Sequence, residues 1–139
     1  MSLALREIHR CAEHLPRKTF CGENGPYLTR YVLSSIPQFS VYYHQFHRAD
    51  EDREFHNHPW EWAKATILHG GYVEERLTDD LQVVTTTYEA GDSNFIEASV
   101  FHRVASIKPD TWTLIHVGRK VQDWGFGVQA IARLYGLSG

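Results

Sequence analysis

The sequence predicts an all-β fold, a sandwich or barrel of many short strands. Three observations carry this. From residue 27 onward the hydrophobic pattern has a period of two, the runs are rich in β-branched and aromatic residues, and turn-forming residues separate them at short intervals. No regular alternation of strands with long helical patterns is present, which argues against a parallel α/β sheet. A chain of 139 residues fits one domain, 1–139, with a barrel core expected at about 27–126.

Taken in order, Leu5, Ile8, Ala12 and Leu15 recur at three- and four-residue steps, so a short amphipathic helix is expected over Leu3 to Leu15, stopped by Pro16. Cys21 to Pro26 reads as a turn-rich loop, because its two glycines tolerate positive φ. Strands are then expected at Tyr27 to Leu33, Phe39 to His47, Trp62 to Leu68, Gly71 to Leu77, Leu81 to Glu89, Asn94 to Glu97, Phe101 to Ile107, Trp112 to Val117 and Lys120 to Phe126. Gly70-Gly71, Thr78-Asp79-Asp80, Gly91-Asp92, Pro109-Asp110 and Gly118 supply the turns between the later runs. Val128, Ile131, Ala132 and Tyr135 then predict a short closing helix before Gly136.

Composition narrows the function classes. Seventeen acidic against fourteen basic side chains give a net charge of -3, with no basic stripe to displace counterions from a phosphate backbone, so nucleic acid is not an expected partner. No run approaches the ~20 apolar residues that span a bilayer, so no membrane partner is expected either, and the expected home is the cytoplasm. The two cysteines, Cys11 and Cys21, are too few for a disulfide framework and should stay thiols there. Nine histidines are the unusual feature, since imidazole is the commonest metal ligand and titrates nearest neutrality.

The segment Phe55-His56-Asn57-His58-Pro59-Trp60-Glu61-Trp62 is the most informative, because alternate strand residues share a face and His56 and His58 would point into one cavity. The spacing alone is weak: a His-x-His pair arises easily in so histidine-rich a chain. Context strengthens it. His56, His58 and Gly70 stand at the spacing of the first motif of the cupin superfamily, and Gly91 and His102 at that of its second, so the chain resembles that superfamily. The family's glutamate position falls on Ala63, and Asp50, Glu97, Ser99 and Ser106 replace its opening glycine, proline, second glycine and asparagine. A closer resemblance is to small, often phage-associated cupins, carried by Tyr42 to Asp50, His56 to Glu61, Gly70-Gly71-Tyr72, His102-Arg103-Val104, Gly118-Arg119-Lys120 and Asp123 to Phe126.

The resemblance implies a double-stranded β-helix, or jelly-roll barrel, with a metal at its mouth. It makes His56, His58 and His102 the expected ligands of one divalent ion, iron being favoured and zinc or nickel possible alternatives. Three neutral nitrogens leave coordination positions open, as a catalytic site requires, and a three-histidine shell without carboxylate is similar to that of the thiol dioxygenases. A mononuclear metal-dependent dioxygenase acting on a small polar molecule is the enzyme expected; a non-catalytic module binding a sugar or metabolite is the alternative. Homodimerisation through edge strands is the expected assembly.

Other candidates are weaker. Glu61 would face away from His58 on a regular strand, yet a bulge at Pro59 would restore it as a fourth ligand or a hydrogen-bond partner. Tyr43, alternating with His47, is a candidate inward hydroxyl, and Arg30, Arg48 and Arg103 are candidate forks for an anionic substrate, although most exposed arginines are solvated charges. Arg103 should face away from His102. His44 and His47 would face opposite ways, so at most one joins the cavity, and His116 and His69 read as a core and a turn imidazole. His9, His14, Cys11 and Cys21 have spacing too irregular for a zinc set. The tryptophans Trp60, Trp62, Trp112 and Trp124 read as packing.

Overall fold

The computed structural model describes residues 2–49 and 54–123. The chain runs through α1 (Leu3–Ala12), β1 (Arg17–Gly22), β2 (Gly25–Ile36), β3 (Phe39–Phe46), β4 (Trp62–His69), β5 (Gly71–Leu77), β6 (Val83–Glu89), β7 (Ser93–Glu97), β8 (Phe101–Ile107) and β9 (Trp112–Val117). Six strands form one sheet in the order β1-β2-β3-β9-β4-β7, and three form the other in the order β6-β5-β8. Every pairing is antiparallel. Two antiparallel sheets facing each other across an apolar interior are the jelly-roll architecture that the period-two pattern and its turns called for.

Helix α1 has its N-cap where expected of a serine: Ser2 Oγ accepts from Leu5 N at 3.1 Å. The helix ends at Ala12, earlier than the predicted Leu15, because Leu15 N turns back onto Ala12 O and Pro16 O is already paired with Val32 N. Its buried face of Leu5, Ile8 and Ala12 rests on Tyr31 and Trp112, which stack at 5.4 Å on the outside of the larger sheet. Strand β1 was not expected. It is an edge strand exposed along nearly all its length, with Arg17 and Lys18 and no apolar alternation, and so leaves no periodic trace. The predicted 21–26 loop is correspondingly reduced to a tight hairpin turn between Gly22 and Gly25.

Two apolar clusters fill the interior. One gathers Tyr42, Ala63, Ala65, Ile96, Ile115 and Val117, the other Ile67, Tyr72 and Val104. The predicted last strand is corrected for the residues described: Lys120 makes only an isolated bridge to Trp60, and 121–123 are not extended into a strand. The remainder of that prediction, Trp124, and the closing helix expected over 128–137 lie outside the described residues.

The two motif glycines have a backbone reason. Gly70 (φ 75°) and Gly91 (φ 95°) both occupy the left-handed region, where a Cβ is strained. At Gly70 an added Cβ would also come within 2.8 Å of Thr111 Cα. Gly70→Ala is therefore expected to destabilise the fold by about 1–3 kcal/mol, read as a lower urea midpoint at unchanged slope.

Candidate metal centre

The imidazoles of His56, His58 and His102 meet at one place on the barrel interior, with one ring nitrogen from each lying within 4.8 Å of the other two. His102 comes from β8, on the smaller sheet. His56 and His58 come from the segment leading into β4, which is not a regular strand but is pinned to β8 by a two-bond bridge: His56 N donates to His102 O (2.9 Å) and His102 N to His56 O (2.8 Å). The expected alternation thus operates without a regular strand beneath it. The segment is held from the other side as well. Glu61 N bonds Arg119 O, Val121 N bonds Pro59 O, and the Gln122 amide donates to the carbonyls of His58 (2.7 Å) and Ala98 (2.6 Å).

Within the cluster, Nε2 of His58 and Nε2 of His102 face each other at 2.7 Å. The opposite nitrogen of His102, Nδ1, lies 2.7 Å from Glu74 Oε2. An ionised carboxylate only accepts, so Nδ1 carries the proton and Nε2 presents its lone pair to the cluster. Burial pushes the Glu74 carboxyl upward, but hydrogen bonds from His102, Asn94 and Arg76 more than offset this and hold it below its usual range. Arg76 Nε (2.6 Å) and Asn94 Nδ2 (2.8 Å) make two of those bonds. Such a carboxylate behind a histidine fixes the ring's tautomer and orientation and raises its basicity as a ligand.

Burial, reinforced by His102, His56, His44 and Arg30, holds His58 well below its ordinary pKa, and burial with Arg30 does the same for His44. Both rings are neutral at pH 7. In the unfolded chain they titrate near 6.5, so the unfolded state takes up protons first as the pH falls. The metal-free protein is therefore expected to hold its full stability above about pH 7 and to lose up to ~1.4 kcal/mol per pH unit for each of the two as the pH drops through 6.5 toward their depressed folded values. Urea unfolding at pH 7.5, 6.5 and 5.5 checks this, and His44→Gln should lower the slope by about one proton.

The histidines open onto a cavity of ≈ 110 Å³. Its walls draw on both apolar clusters through Ala65, Ile96, Ile115, Tyr72 and Val104, with Arg30 and His44 on the larger sheet. On β3 the residues buried toward this interior are Tyr42 and His44, which corrects one expectation: Tyr43 lies on the opposite face, packed with Trp112 beneath α1. Of the two histidines in this stretch, His44 on β3 lines the cavity, while His47, just past the end of the strand, bonds Thr29 at 2.7 Å. Glu61 is also corrected. It is half exposed, paired with Arg119 at 3.4 Å, and outside the histidine cluster, because the Pro59–Glu61 backbone is held by residues 119–122 rather than bulged inward. Glu61→Gln should leave metal affinity within about twofold, as titration would show, since exposed pairs contribute little.

Arg103 behaves as expected, turned from His102 onto Glu75 at 3.2 Å. Arg48 instead donates to the Gly25 and Pro26 carbonyls. Cys11 and Cys21 are free thiols. Glu74 is the residue sequence reasoning missed. The available signal was strand alternation on β5, which puts Tyr72, Glu74 and Arg76 on one face opposite His102.

The donor set fits a divalent ion. A metal held at about 2.0–2.1 Å by imidazole nitrogens draws them to within about 3 Å of one another, near the His58–His102 approach already present. The fold is that of the cupins: an antiparallel jelly roll with histidines from two separate segments converging on its interior. No protein-family profile matches the sequence, and no curated protein does. Solved structures do match. Fe(II)-HppE with the alternative substrate (S)-1-HPP shares 17% identity at a TM-score of 0.61, over 77% of this chain and 57% of that one. Streptomyces albus HEPD with 2-hydroxyethylphosphonate and Fe(II) bound shares 15% at 0.63, over 78% of this chain and 25% of that one. A Streptomyces PAC13 variant with uridine shares 11% at 0.61, over 83% and 85%. At these identities the likeness carries the fold, and this chain spans little more than half the length of HppE.

Proposed function

We propose that the chain is a mononuclear metal-dependent enzyme, an oxygenase using iron(II) bound by His56, His58 and His102, that acts on a small polar molecule inside the barrel. The carrying observation is the convergence of the three imidazoles on the cavity wall, with the His58 and His102 Nε2 atoms 2.7 Å apart. The proton between those two atoms occupies a place that a divalent cation, bound by both lone pairs, would take. HppE and HEPD, which share the fold, are Fe(II) proteins, and this supports iron over zinc or nickel. When bound, the ion would supply Lewis acidity and open positions for substrate and dioxygen. Glu74 would hold the His102 proton at Nδ1, and the apolar walls would keep bulk water from the reacting atoms.

Anaerobic iron loading followed by oxygen uptake across small acids, thiols and phosphonates tests the reading. One iron per chain with substrate-dependent uptake supports it. A second reading, a non-catalytic module for a sugar or metabolite, draws support from the rings of Phe20, Tyr27, Phe46 and Tyr72 on the cavity wall and from the uridine of the PAC13 structure. Ligand binding with no iron-dependent uptake would favour it.

No helix among the described residues is long and apolar enough to cross a membrane, and the exposed free thiols accord with a cytoplasmic protein. A homodimer would pair through an edge strand such as β1 or β7, and light scattering would show its mass.

A further inference from the structure

The guanidinium of Arg30 is placed unlike those of Arg76 and Arg103, which pair with carboxylates, and of Arg48, which donates to main-chain carbonyls. Arg76 is paired with Glu74 at 2.6 Å and Arg103 with Glu75 at 3.2 Å. Arg30, among the described residues, has no carboxylate partner. Its Nε donates to His44 Nε2 at 3.1 Å, and aromatic rings surround it, those of Tyr42 at 4.6 Å, Phe20 at 5.0 Å and Trp60 at 5.3 Å. Rings and a neutral imidazole soften the loss of water around a cation, but they do not neutralise it, and no other hydrogen bond from the Arg30 guanidinium is made to the described residues. Burial lowers the Arg30 pKa, yet a guanidinium stays charged.

The surroundings make this a site rather than a buried accident. Arg30 lines the same cavity as His56, His58 and His102, and among the described residues no aspartate, glutamate or lysine lines it. The permanent charge that the described lining carries is therefore positive, and a divalent ion on the histidines would add to it. Trp60 connects the two ends, stacking on His58 at 5.4 Å while Arg30 lies over the same residue. The cavity of ≈ 110 Å³ suits a small molecule.

We propose that the Arg30 fork is an anion-binding subsite: the molecule taken into the barrel carries an oxyanion head group, carboxylate or phosphonate, held by Arg30 while its other end reaches the three histidines. The assignment refines the function proposed above and rests on it only for the second half, since the anion contact needs no metal. Paired N–H donors match the two oxygens of such a head group, and the aromatic walls fix the plane of the fork before the ligand arrives.

The test is calorimetric titration of glycolate, methylphosphonate and neutral ethylene glycol into metal-free protein, wild type and Arg30→Met, alongside a separate metal titration of both. The expected result is binding of at least one anion, none of ethylene glycol, and a loss of about tenfold or more in Arg30→Met with metal affinity not weakened. The tighter of the two anions assigns the head group. Binding of neither anion, equal binding of ethylene glycol, or unaltered anion affinity in a folded Arg30→Met overturns the proposal. Should methionine disturb the fold, Arg30→Lys carries the test, with a several-fold loss expected and an unchanged affinity contradicting it. Metal binding without anion binding sinks this inference alone, and anion binding without metal binding sinks the enzyme reading alone.

Discussion

Replacing Glu74 by alanine should destabilise the protein by about 3–5 kcal/mol, the largest single effect expected of any side chain outside the apolar clusters. The carboxylate is wholly buried and satisfies three partners at once: Arg76 Nε, Asn94 Nδ2 and His102 Nδ1. Removing it leaves a half-buried guanidinium and a buried ring N–H without their acceptor. The cost is therefore that of orphaned groups rather than of one lost bond. Glu74→Gln separates two roles. An amide keeps the volume and one acceptor but no charge, so part of the stability returns, whereas metal affinity should stay about 10–100-fold below wild type because His102 loses the anion behind it. Urea unfolding and metal titration of both variants read these effects independently.

Loss of any one of the three imidazoles should act in the opposite pattern, with metal binding affected far more than the fold. His58→Ala and His102→Ala are each expected to lower affinity for a divalent ion by roughly 100-fold or more, beyond the range expected for an outer partner such as Glu74. In the metal-free protein His58→Ala also removes a ring that burial holds neutral, so it should reduce the dependence of stability on pH below 6.5. His102→Ala strands Glu74 and should be the less stable of the two. Affinity of the wild type should itself fall as the pH drops, since protons and the ion compete for the same lone pairs.

How far the sequence was readable follows from what each residue meets. Strands β2 to β5 and β7 to β9 were legible because each has buried residues and punctuated ends, and the exposed β6 was legible from its run of β-branched residues, Val83 to Thr87, between two turns. β1 was silent, since an edge strand with water on most of its surface needs no apolar alternation. Tyr43 was misread for a related reason. On β3 the inner face carries Tyr42, and the outer face carries Tyr43 under α1, so aromatic residues mark both sides and the alternation has no unique phase. His56 and His58 were readable through motif spacing, although the segment bearing them is held by bridges rather than by a regular ladder.

Glu74 was missed because β5 carries polar residues on its inward face. Val73 and Leu77 invite the opposite phase, and only the pairing of β5 with β8, which sets Arg76 opposite His102, shows that Glu74 lies behind the ring. Long-range register of this kind is absent from local periodicity. Glu61 failed conversely: its nearness in sequence to His58 suggested a shared site, while the backbone bonds of 59–61 to 119–122 turn it outward to Arg119.

The central claim is that three imidazoles from two distant segments hold one divalent ion. Anomalous diffraction from crystals of iron-loaded protein tests it most directly. The account predicts a single strong peak about 2.0–2.2 Å from a ring nitrogen of each of His56, His58 and His102. A peak bound elsewhere, or no peak at a concentration of iron that saturates the protein in solution, would contradict it.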